Sequence, residues 1–149
     1  MVIACNMSSA LMALLDEAEK FHGHLGPFLV IGVRMGSIGL NRLNIKEGEP
    51  LAVNALLPLH VPFSCIIDGL QVSTKCTVGN QKLSIKNSRR IQAEFERKNN
   101  GRKVSVALNL LMFERLKTQL LQEALPDKEV RKLAWKIAAV SEEELFIVT

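Results

Sequence analysis

Residues 91–108 decide the fold class ahead of any other stretch. Ile91, Ala93 and Phe95 alternate with Gln92, Glu94 and Glu96; beyond Asn100-Gly101, Val104, Val106 and Leu108 alternate again. A period of two sends successive side chains to opposite faces of a strand, and Asn-Gly between two such runs signals a tight hairpin with a type I′ turn. Pairing Asn99 with Arg102 sets Phe95 opposite Val106 and Ala93 opposite Leu108, so the apolar faces agree. An antiparallel pair with one apolar face needs a second layer to cover it.

Helical patterns supply that layer. Ser8 or Ser9 predicts the cap of a first helix running to about Phe21, with Leu11, Leu14, Leu15 and Ala18 on one face. Gly26 at a cap and Pro27 at the first helical position open a second helix to about Leu43. Gly32 and Gly36 lie one turn apart and permit close approach of another backbone, in the core or across a dimer. Leu51–Leu57 reads as a buried strand. Ser64 reads as the cap of a helix over Cys65–Thr74, and Gly79-Asn80 as a turn. Helices over about Leu111–Leu121 and Asp127–Val140 flank Pro126, and Leu145–Val148 reads as a last strand. The expectation is α+β: an antiparallel sheet packed with helices, one domain over 1–149, with a tail over 1–8 that contains Cys5.

Composition narrows the function classes. A chain of 149 residues with 48% apolar and 23% charged side chains builds its own core and is not disordered. No run of 18 uncharged apolar residues exists to span a bilayer, and the expected location is cytoplasmic. Three cysteines with no CxxC pair fit neither a disulfide scaffold nor a zinc ribbon. The net charge of +4 is uneven: Lys75–Lys103 holds nine basic and two acidic residues, or +7.

Chemistry concentrates in two places. In His22-Gly23-His24 the glycine and the following Gly26-Pro27 favour an extended chain, on which both imidazoles point the same way. They then converge on one metal or flank one substrate, before the positive end of the second helix. The competing reading is a helix-ending loop with two exposed histidines. The second place is Cys65, in the first turn of its helix, where a thiol's pKa falls, with Asp68 one turn on. Its competing reading is a small buried hydrophobe. Cys76 lies eleven residues further, about 16 Å along a helix, against the 7 Å or so that a disulfide spans. A tetrahedral site would draw on His22, His24 and Cys65 and leave its fourth position open, as catalytic zinc sites do.

Phe21-His22-Gly23-His24-Leu25-Gly26-Pro27 with Ile31–Gly36, then Cys65-Ile66-Ile67-Asp68-Gly69-Leu70-Gln71 with Thr74–Asn80, resemble the two motifs of FmdE, a family named for formylmethanofuran dehydrogenase. Glu143–Val148 is similar to its closing strand. The resemblance covers essentially the whole chain as the family's core domain. It implies an intertwined homodimer with a His- and Cys-lined cleft that holds zinc or another transition metal. His22, His24, Cys65 and Cys76 match the family's histidines and cysteines, with Asp68, Gln71 and Thr77 among the other motif positions. It also implies association with molybdenum or tungsten enzymes of C1 metabolism. Gly26-Pro27 stands where the family usually has Cys-Pro, and the C-terminal zinc module of many members is not expected here.

Three functions follow as expectations. The first is a metal-binding, FmdE-like accessory protein or enzyme of C1 or molybdopterin-linked metabolism. The second is a thiol-dependent enzyme with Cys65 as nucleophile and His22 or His24 as base. The third and weakest is nucleic-acid binding through Lys75–Lys103, where too few aromatics interleave for base stacking.

Overall fold

The computed structural model describes residues 7–149. Cys5 and most of the expected tail lie outside them. The order is α1 (Ser9–His22), α2 (Pro27–Arg42), β1 (Leu51–Leu57), α3 (Cys65–Thr74), β2 (Leu83–Asn87), β3 (Gln92–Arg97), β4 (Lys103–Leu108) and α4 (Leu110–Lys117). A π-helical turn (Thr118–Gln122), α5 (Asp127–Ala139), α6 (Glu142–Leu145) and β5 (Phe146–Val148) complete it. The α+β expectation holds, and no helix among the described residues is long and apolar enough to cross a membrane.

The helix boundaries follow from local chemistry. Ser8 accepts the Leu11 N–H at 3.1 Å and starts α1. Pro27 opens α2 behind Gly26. Asn109 accepts the Leu111 and Met112 N–H groups and starts α4. Helix α2 is apolar on nearly every side and is correspondingly buried from Pro27 to Val33. It lies between the sheet and helices α1, α3 and α5. A Cβ on Gly32 would come closer to the Ile66 carbonyl oxygen than van der Waals contact allows, and one on Gly69 would lie 2.6 Å from the Val33 nitrogen. The two glycines let α2 and α3 cross backbone to backbone within this chain.

The sheet runs β2-β1-β3-β4-β5. Pairs β1/β3, β3/β4 and β4/β5 are antiparallel, as expected, but β1/β2 is parallel, so the sheet is mixed. The cause is α3, a crossover that returns the chain to the end where β1 began. Val53, Ala55, Ala93, Phe95, Val106 and Leu108 form the buried face. The opposite face is polar, with Asn54 hydrogen-bonded to Glu94 and Gln92 to Ser105.

The hairpin forms in a register two residues from the expected one: Phe95 faces Val104 and Ala93 faces Val106. The faces are unchanged because the shift is even. The loop is longer than Asn100-Gly101. Arg97 pairs with Arg102, and the Arg97 carbonyl accepts the Gly101 N–H at 2.8 Å. Lys98 N–H is drawn to the Pro50 carbonyl at 2.9 Å, and the Arg97 guanidinium bonds the Leu43 carbonyl and Glu49. These tertiary bonds select the longer loop over a two-residue turn.

Candidate functional site

Helix α1 ends at His22, and Gly23 takes a left-handed conformation (φ 104°) that returns its N–H to the Glu19 carbonyl at 2.8 Å. His24 follows and folds back, so the two imidazoles stack with centroids 4.7 Å apart and planes inclined by 25°. The histidines are therefore brought together, but by a helix end and a left-handed glycine rather than by the extended tripeptide expected from sequence. A side chain needs a favourable φ at position 23, and glycine alone adopts this one without strain.

His22 is the partly buried member and His24 the exposed one. Its Nδ1 lies 2.6 Å from Asp68 Oδ2, which crosses from α3. Its Nε2 is buried with no hydrogen-bond partner. Asp68 is in turn held: Gln71 Nε2 donates to Asp68 Oδ1 at 3.4 Å, and Gln71 Oε1 accepts the Val78 N–H at 3.1 Å. The segment after α3 fixes that amide. Asn80 accepts the Thr77 and Lys82 N–H groups and donates to the Lys75 carbonyl, while Thr77 Oγ1 accepts the Asn80 N–H. Thr77 and Gln71 thus act behind the site and not in it. Sequence reasoning identified the Thr74–Asn80 motif without its job, since the chain of bonds from Val78 to His22 appears only in three dimensions.

His22, His24 and Cys65 line one cleft of about 300 Å³, together with Pro27, Val61 and Leu120. Gly26 lies beside it, and a Cβ there would sit 3.8 Å from His24 Nε2. Cys65 is partly buried, and its thiol pKa is pushed up by burial and by the nearby Asp68 carboxylate. This reverses the expectation of a helix-activated thiol. Ser64 is itself helical (φ −63°, ψ −14°) and makes no side-chain cap. The Cys65, Ile66 and Ile67 N–H groups are already bonded to the Pro62, Phe63 and Ser64 carbonyls. The Ile66 and Ile67 donors are thus spent on the preceding turn, and the backbone hydrogen bond at Cys65 that still favours the thiolate is outweighed by burial and Asp68. Cys76 is buried beyond the far end of α3 against the Leu51 carbonyl, as a free thiol remote from Cys65.

A metal fits this arrangement in part. A carboxylate on one ring nitrogen, with the other nitrogen left unpartnered, is the usual dress of a metal-binding histidine, and His22 has it. Among the described residues, however, no three His, Cys, Asp or Glu side chains meet at one point. His22 carries the features of a ligand, His24 stacks beside it, and Cys65 lines the same cleft.

Three cations of the basic segment are paired. Arg97 is committed to Glu49, Lys98 pairs with Glu96 and Lys75 with Glu17.

A family model described as "FmdE, Molybdenum formylmethanofuran dehydrogenase operon" matches residues 21–147. A curated protein of Archaeoglobus fulgidus, a "probable S-adenosyl-L-methionine-binding protein", is 40% identical over 79 residues, covering 52% of this chain. The chain spans only 22% of that relative's length. A solved FmdE-like protein of tungsten formylmethanofuran dehydrogenase type, from Syntrophus aciditrophicus, superposes with a TM-score of 0.64 over 93% of this chain and 70% of its own. At 19% identity the likeness is one of fold.

Proposed function

The chain belongs to the FmdE family, and from that premise we propose that it is a metal-binding, FmdE-like protein that serves a molybdenum or tungsten C1 enzyme. One observation carries the reading: Asp68 holds His22 by Nδ1 and leaves Nε2 buried and unpartnered, on a residue that lines the cleft shared with His24 and Cys65. His22 and His24 would hold the ion, zinc or another transition metal, through neutral imidazoles. Once bound, the ion supplies a Lewis acid with open positions for water or substrate. Asp68 fixes the ring and its tautomer. Gln71 keeps Asp68 from turning away. Pro27, Val61 and Leu120 give the cleft an apolar wall. We include the homodimer in this proposal, and sedimentation of the purified chain tests it.

The raised pKa of Cys65 disfavours the thiol-enzyme alternative, because the thiolate is the nucleophile. Zinc titration of protein purified without an affinity tag tests the metal reading. We expect one zinc per chain, weakened about 10- to 100-fold by Asp68→Asn and lost in a His22→Ala, His24→Ala double variant. No binding of zinc, nickel or iron, or equal binding by the double variant, sinks it.

A further inference from the structure

A second cleft, of about 600 Å³, lies across the loop 60–63 from the histidines. Its floor is Phe63 and Phe113, and its apolar rim is Leu110 and Leu121. Leu110 is 58% exposed and Leu121 49%, an unusual amount of large apolar surface at one opening. The two clefts share parts. Leu121 lines both. Phe28, from the histidine cleft, packs edge-on against Phe63 and Phe113 at 5.0 and 6.3 Å, so one aromatic layer underlies them. Leu121 is carried by the π-helical turn, where the Glu123 N–H reaches back to the Thr118 carbonyl at 3.2 Å. Such turns recur at functional sites.

The charges at this opening lean basic. Arg89 and Lys117 line it, and neither makes an ion pair or side-chain hydrogen bond with any described residue. Glu114 is the one carboxylate on the lining, and it is likewise without an ion-pair partner among them. On the hairpin, by contrast, Arg97 and Lys98 are each neutralised by a glutamate. Two unpaired cations above an aromatic floor suit a ligand with an oxyanion at one end and an apolar body.

We propose that this cleft binds an amphipathic organic anion, a carboxylate or phosphate ester, with its oxyanion on Arg89 and Lys117 and its apolar body over Phe63 and Phe113. Leu121 then leads the body toward His22 and His24, which makes the bound anion the substrate class of the metal cleft. That last step rests on the metal reading; binding at Arg89 and Lys117 does not.

The test titrates the protein with octanoate, mono-octyl phosphate, 1-octanol and inorganic phosphate, following methyl resonances of Leu110 and Leu121 by NMR. The expected result is saturable binding of both octyl anions, with octanol and inorganic phosphate at least tenfold weaker. Replacing both cations, Arg89→Ala with Lys117→Ala, should weaken the octyl anions about tenfold or more and leave octanol unchanged. Both side chains are exposed, so the variant should keep the fold. The His22→Ala, His24→Ala variant should bind octanoate as the parent does, which separates failure of this proposal from failure of the metal reading. Octanol binding as tightly as octanoate overturns the proposal, as does undiminished octanoate affinity in the Arg89, Lys117 variant. Loss of octanoate binding as the chain self-associates assigns the surface to a second copy and overturns it too.

Discussion

Cys65 occupies the position that favours a reactive thiol in principle, and its surroundings act against it. Burial and the Asp68 carboxylate both disfavour the thiolate, so the thiol titrates above the ordinary value. The sign follows: the reactive fraction grows only at a pH higher than for a free thiol, whose pKa is about 8.5. Iodoacetamide should therefore modify Cys65 more slowly than glutathione at pH 7, as read by mass spectrometry with time. Faster modification would revive the nucleophile reading. Asp68→Asn makes a paired prediction. Removing the carboxylate should speed alkylation of Cys65 while it weakens zinc binding, because the same oxygen atoms repel the thiolate and hold His22. If both change in the same direction, the two roles of Asp68 are not those described. The candidate residues themselves were legible, since His and Cys in short motifs stand out in any chain. Their states were not: the left-handed Gly23 and the spent N–H groups of Ile66 and Ile67 depend on how neighbouring turns are closed.

At the scale of elements, the α2/α3 crossing is the tightest joint. Gly69→Ala would push a methyl group against the Leu29 carbonyl and the Val33 nitrogen, both backbone atoms that cannot swing aside. Overpacking of this kind costs about 3 kcal/mol, and at 2–4 °C per kcal/mol for a chain this size it lowers Tm by roughly 6–12 °C. Gly79→Ala is the control, because a Cβ there meets only Thr77 Oγ1 at an ordinary 3.8 Å. It should stay within about 0.5 kcal/mol of the parent. Equal effects would mean that the crossing is not as close as described. The helix starts were readable from caps and from Pro27, and the small-residue spacing of Gly32 and Gly36 announced a close approach without naming the partner. Strand β2 was not readable. Ser84 and Lys86 interrupt its apolar pattern, as suits an edge strand, and its parallel pairing is imposed by α3.

The whole molecule has one contiguous core, from Leu15 on α1 through the sheet to Phe146 on β5. Thermal unfolding should accordingly give a single transition, with circular dichroism and Trp135 fluorescence coinciding. Two separated transitions would show that the helical and sheet layers melt independently. Zinc should raise that Tm. A ligand at about 100 times its Kd adds about 2.7 kcal/mol to a protein that binds it only when folded, which is a rise of roughly 5–10 °C here. The His22→Ala, His24→Ala variant should show no such rise. A rise of equal size in that variant would move the metal elsewhere.

By itself the sequence determined most of the elements and their order, β2 and the short α6 excepted, with their buried faces and the two motifs, because periodicity, caps and turn residues act over a few neighbouring positions. Only the tertiary structure decided the hairpin register, the parallel edge strand and the ring nitrogen by which Asp68 holds His22. Those depend on partners far along the chain: Lys98 on Pro50, β2 on β1, and His22 on Asp68, 46 residues away. Local rules leave such pairings open, and only burial and the pairing of polar groups in the folded chain select one of them.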